Sequence, residues 1–143
     1  MKKNSHGPGT SPPLDPCYLG WFAHFNACEY YEAHDALEVL WLRTTCADRE
    51  FFKGLIQVAG AFVHLRKQLE RPQHAKHSTR LRPAARLLRR AEQHLAPFGP
   101  IHLRLDVAAV CALCESLAHG IETSGFADNP WSPATPPQIG LAA

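Results

Sequence analysis

The segment 48–70 constrains the fold more than any other stretch of the chain. Apolar residues stand at Phe51, Phe52, Leu55, Ile56, Val58, Ala59, Phe62 and Val63. Spacing this dense predicts a helix buried over most of its circumference, and Pro72 ends it. Other helices are predicted at 16–25, stopping at Asn26, a residue that tolerates left-handed geometry, at 30–43, at about 75–95, and at 105–121. Pro83 is expected to kink or split the fourth, and the PFGP run at 97–100 breaks the chain before the fifth. No alternating β pattern and no solenoid-length repeat is present. The class is therefore all-α, a single bundle of about five helices. Only about four residues separate the second helix from the third, which makes that pair an antiparallel hairpin.

A chain of 143 residues with 45% in the hydrophobic class fits one domain with a real core. Its ends differ from its middle. Residues 1–16 hold four prolines and read as a disordered leader, 17–124 as the helical domain, and 125–143 as a proline-rich extended strap that Trp131 and Ile139 pin to the body. The two N-terminal lysines are followed by no apolar run, which argues against a secretory signal, and no segment has the length of a membrane span. The five cysteines (17, 28, 46, 111 and 114) are odd in number and suit reduced thiols. A cytoplasmic location is the expectation.

The informative feature is a polar row on buried helices. In the second helix His34, Glu38 and Trp41 fall at i, i+4, i+7, with Tyr30 and Tyr31 beside them. In the third, Lys53, Gln57, Gly60 and His64 make one stripe, and Gly54 and Gly60 signal a close backbone approach, assigned to the second helix. His34 and Glu38 would then face Gln57 and His64 across a seam. Two chemistries fit it. A self-paired His-Glu-Gln-His network would hold helix register as buried polar groups do. Alternatively, His34, Glu38 and His64 supply three ligands for zinc, iron or manganese, with Asp35 or Glu32 as general base.

The run FNACEYYEAHDALEVLW (25–41) followed by FFKGLIQVAGAFVHL (51–65) resembles a small prokaryotic family, domain of unknown function 309. Phe25, Asn26, Tyr30, Glu32, Ala33, His34, Leu37, Glu38 and Trp41 match its first motif. Gly54, Leu55, Ile56, Gln57 and His64 match its second, and the PPQIGL tail resembles its C-terminus. Cys28 stands where the family has glycine and Asp35 where it has glutamate. The resemblance implies an all-helical fold and supplies no reaction.

Elsewhere, residues 66–90 carry nine Lys/Arg against one acid, Glu70. Arg82, Arg86, Arg89 and Arg90 cluster on one side of the basic stretch 76–90, but no interleaved aromatics accompany them, so a solvated face balancing the acidic fifth helix is preferred over nucleic-acid binding. Cys111-x-x-Cys114 lies inside a helix rather than at its N-terminus and reads as packed structural thiols. The leading expectation is a non-enzymatic binding or interaction module for a protein partner or small ligand, with a homodimer left open. A metal-dependent, hydrolytic enzyme is second and nucleic-acid binding third.

Overall fold

The computed structural model describes residues 13–71 and 79–142. Their helices are α1 (Pro16–Asn26), α2 (Tyr30–Arg43), α3 (Asp48–Glu70), α4 (Leu81–Leu95) and α5 (Val107–Thr123). The all-α bundle follows the sequence periodicity. No helix among the described residues is long and apolar enough to cross a membrane.

Each boundary has a local cause. Asp15 caps α1 by accepting the Cys17 N–H at 2.8 Å, with Pro16 at the first helical position, where a missing N–H costs nothing. The ordered body therefore includes residues 13–16. After Asn26 the chain turns through Cys28 at φ 60°, the left-handed position that glycine adopts without a Cβ penalty. Arg66 holds this turn by donating from Nη1 to the Cys28 carbonyl at 2.6 Å. Cys28→Gly should relieve roughly 1 kcal/mol of backbone strain, offset in part by glycine's greater entropy when unfolded. A small rise in the urea midpoint with unchanged slope is the expected result, and a clear fall would mean that the half-buried thiol packs better than the turn is strained.

Pro83 does not kink α4. The helix starts at Leu81, so the proline sits in its first turn, where no intrahelical donor is lost. The sequence expectation for 75–78 lies outside the described residues. Two further differences concern the segment before α5. Residues Ile101–His102 (β1) and Leu105–Asp106 (β2) form a minimal antiparallel hairpin, and α5 begins only at Val107, capped by Asp106. The hairpin turn places Leu103 and Arg104 at positive φ with none of the Gly or Asn signals that reveal such turns in sequence.

The core centres on α3, which packs against α2 on one side and α4 on the other. An aromatic layer seals α1 onto it: Trp21 stacks on Phe25 with centroids 4.8 Å apart, Phe25 meets Phe62 edge-on at 4.9 Å, and the Trp21 indole N–H donates to the Leu55 carbonyl at 3.1 Å. Residues 127–140 then run across the bundle without helix or strand. Trp131 and Ile139 are buried, and the Asn26 side chain clasps Ile139 through both its backbone N–H and its carbonyl, at 2.8 and 2.9 Å.

Candidate functional site

The polar stripe of α3 forms, but it faces α4. A Cβ on Gly54 would lie 2.7 Å from Leu95 Cγ, and one on Gly60 would lie 3.3 Å from Leu87 Cδ1. Both close approaches therefore belong to the α3–α4 contact and not, as expected, to α2. The stripe's polar members follow the same direction. His94 Nδ1–H donates to Gln57 Oε1 at 2.9 Å, and Arg80 Nη1 donates to His64 Nδ1 at 2.9 Å. The reason is positional: α3 has two helical neighbours, and its bulkiest aromatic residues are committed to the α1 side, leaving the glycine-bearing stripe for α4. Lys53 is half-buried at the start of that stripe.

His34, Asp35 and Glu38 stay on α2. His34 Nδ1 lies 3.1 Å from Asp35 Oδ1, and His34 and Glu38 are half-buried. Tyrosine, tryptophan and cysteine aside, no polar or charged side chain among the described residues is fully buried. The expected His-Glu-Gln-His network is thus replaced by two half-open pairs on the α4 side and an acidic group on α2. Trp41 is covered by Arg49, whose guanidinium carbon sits 4.0 Å from the ring centroid, and its Nε1 is buried without a hydrogen-bond partner.

A cleft of about 280 Å³ brings part of this together. Tyr31, His34 and Asp35 form the α2 wall, Gly60, Val63 and His64 the α3 floor, and Arg80 and Leu87 the far wall. Glycine at position 60 keeps the floor low. A guanidinium has only donors, so His64 accepts through Nδ1 and its neutral imidazole carries the proton on Nε2. Burial, then the positive charges of Arg80, Lys67 and Arg86, hold the His64 pKa down at about 4. The folded state therefore binds the proton less readily than the unfolded one. His64 subtracts nothing from stability above pH 6.5, and stability declines as the pH falls from there toward 4. In an NMR titration the His64 ring should stay neutral until about pH 4, and Arg80→Ala should raise its midpoint. A midpoint at the ordinary histidine value would show that this contact does not persist in solution.

For a metal, the convergent trio is His34, Asp35 and Glu38, with one candidate ligand atom from each within 4.8 Å of the others. One imidazole and two carboxylates are a donor set that zinc, iron or manganese accepts, and modest rotamer changes would draw them onto one ion. His64, the third expected ligand, faces the same cleft with its Nδ1 lone pair engaged by Arg80. Glu32 opens on a different groove, beside Arg66 and Lys67. The residues that sequence reasoning missed are Arg80 and His94. The short side chains of Ala84 and Ala91, buried on α4 at the helical spacing of Leu87 and Leu95, were the available signal.

The other candidates resolve as follows. Arg89 is held by carboxylates of Glu92, Glu115 and Glu122, the last two on α5, which is the charge balance expected of the basic helix. Cys111 lies in the second turn of α5, and burial raises the thiol pKa of both Cys111 and Cys114, that of Cys114 to about 12. Both are poor nucleophiles.

Compared with known proteins, the chain matches the family model described as Domain of unknown function (DUF309) over residues 19–74, from α1 to just beyond the end of α3. No curated protein and no solved structure matches it.

Proposed function

With residues 19–74 matching the DUF309 family model, we propose that the protein is a non-enzymatic binding module whose ligand, a small polar molecule or a partner segment, enters the cleft between α2, α3 and α4. The observation that carries this reading is the partnering of the cleft's groups. His64 already has its acceptor nitrogen filled by Arg80, and its depressed pKa keeps it neutral, so His64 on the floor and Arg80 on the far wall offer fixed donors rather than a base. Donors around an apolar floor of Gly60 and Val63 suit recognition. An NMR screen of small charged and polar fragments tests it. Shifts should concentrate on the amides of 31–35 and 60–64, and hits scattered over the surface would end the proposal.

A metal-dependent hydrolytic enzyme is the second reading, favoured by the convergence of His34, Asp35 and Glu38. A bound ion would act as a Lewis acid or activate water. Elemental analysis of protein purified without added metal, beside His34→Ala, separates the two. Near-stoichiometric metal that disappears in the variant establishes the second reading, and trace metal in both favours the first.

A further inference from the structure

The basic face of α4 contains a second cleft, remote in chemistry from the first. Of its arginines, Arg89 is neutralised: Glu122 receives Nε and Nη2 at 3.2 and 2.8 Å, and Glu115 receives Nη1. Arg82 and Arg86 pair with no carboxylate among the described residues, although they lie one helical turn apart on an exposed face. Like charges held that close repel each other, so their pairing needs a counter-charge to be favourable.

Beside them stands Phe126. Helix α5 ends in a Schellman turn, in which Phe126 N–H donates to the Ile121 carbonyl at 2.9 Å and Gly125 N–H to Glu122 at 3.1 Å. Phe126 itself is at φ 63°, a left-handed conformation that is rare for a bulky side chain. Ser124 Oγ locks the turn by accepting from Ala127 and Asp128 N–H at 3.2 and 3.0 Å. The result is a ring under Arg82, with the guanidinium carbon 4.1 Å from its centroid. Stacking fixes the plane of a guanidinium while leaving its in-plane donors open. Arg82, Arg86, Glu122 and Phe126 line a cleft of about 360 Å³.

We propose that this cleft binds a phosphate group, with Arg82, oriented by Phe126, and Arg86 as its two cationic donors. The chemistry favours phosphate over a monoanion. Two unneutralised guanidiniums match a group carrying close to two negative charges and three acceptor oxygens. Glu122 also lines the cleft, and its carboxylate oxygens accept from Arg89 Nε and Nη2 rather than from Arg82 or Arg86, which leaves the donors of those two arginines open.

The phosphate group belongs either to a small phosphorylated molecule or to a nucleic-acid backbone, and one experiment distinguishes them. Pyrophosphate and a single-stranded oligonucleotide are titrated calorimetrically into the full chain at low ionic strength. Saturable binding is expected, weakened about tenfold or more by Arg82→Met and by Arg86→Met, and less by Phe126→Leu, which removes the stack alone. Arg90→Met, on the same helix outside the cleft, should leave binding unchanged. Pyrophosphate binding with shallow salt dependence assigns a small ligand. Tighter oligonucleotide binding that falls steeply with salt assigns the backbone. Absence of binding for both probes, or an Arg90→Met loss equal to that of Arg86→Met, overturns the proposal, since the second outcome marks diffuse attraction to the basic face.

Discussion

Replacing Trp131 with alanine should destabilise the protein by about 3–5 kcal/mol, a large share of the total for a domain of this size. The indole is 6% exposed and stands edge-on to Tyr30 at 6.1 Å, so truncation leaves a cavity that the surrounding bundle can fill only in part. Its Nε1–H donates to the Tyr30 hydroxyl at 3.0 Å, and Tyr30 is a buried phenol whose pKa burial pushes upward, so the variant also removes a hydrogen bond to a buried polar atom. The loss extends along the tail. Asn129 Oδ1 accepts the Trp131 backbone N–H while its amide donates to Leu65 and Gln68 on α3, so a tail freed from its indole anchor would loosen these contacts as well. Urea unfolding of the wild type, Trp131→Ala and Trp131→Phe measures the effect. The phenylalanine variant keeps most of the apolar area and loses the N–H, so it should fall between the other two. A cost below about 1 kcal/mol for the alanine variant would mean that the tail is a peripheral segment, contrary to its burial.

The tail also shows where sequence legibility ended. Proline-rich composition and a lone Trp131 announced a strap, but composition does not say what a strap touches. The clasp between Asn26 and Ile139 joins positions 113 residues apart, and nothing local to either residue specifies it. Asn26 was read as a helix stop for its tolerance of positive φ, whereas that conformation falls on Cys28 and the amide of Asn26 serves the tail. The stripe on α3 illustrates the same limit. Periodicity gives the angle of Gln57, Gly60 and His64 about their own helix axis, and that angle was legible. Which neighbour occupies that direction depends on the whole packing, and nearness in sequence favoured α2 although α4 holds the place. The grouping of possible metal ligands follows the same limit. Asp35 lies off the stripe of His34 and Glu38 by helical spacing, yet a flexible carboxylate and an imidazole at adjacent positions reach each other. The Leu103–Arg104 turn carried no signal at all, because its residues adopt positive φ without being the types that favour it.

The α3–α4 contact yields the second large effect, and it turns on which of two opposing terms wins. Alanine is favoured over glycine inside a helix by about 1 kcal/mol, so on propensity alone Gly54→Ala and Gly60→Ala would both stabilise. At Gly54 the new methyl would fall 2.7 Å from Leu95 Cγ, 2.8 Å from its Cδ2 and 3.3 Å from His94 Cβ. Leu95 is fully buried, and Cγ is the branch point of its side chain, so relief requires moving α4. Overpacking of that kind costs about 1–3 kcal/mol, and a shifted α4 also lengthens the His94–Gln57 bond. Gly54→Ala should therefore destabilise by up to about 2 kcal/mol after the propensity gain. At Gly60 the nearest atom is Leu87 Cδ1 at 3.3 Å, the free end of a half-buried side chain that can rotate away. Gly60→Ala should lie within about 0.5 kcal/mol of the wild type. Chemical denaturation of the two variants side by side makes the comparison. Equal effects would mean that α3 and α4 do not approach as closely at Leu95 as these distances state, and a stabilised Gly54→Ala would show that the helices part there without cost.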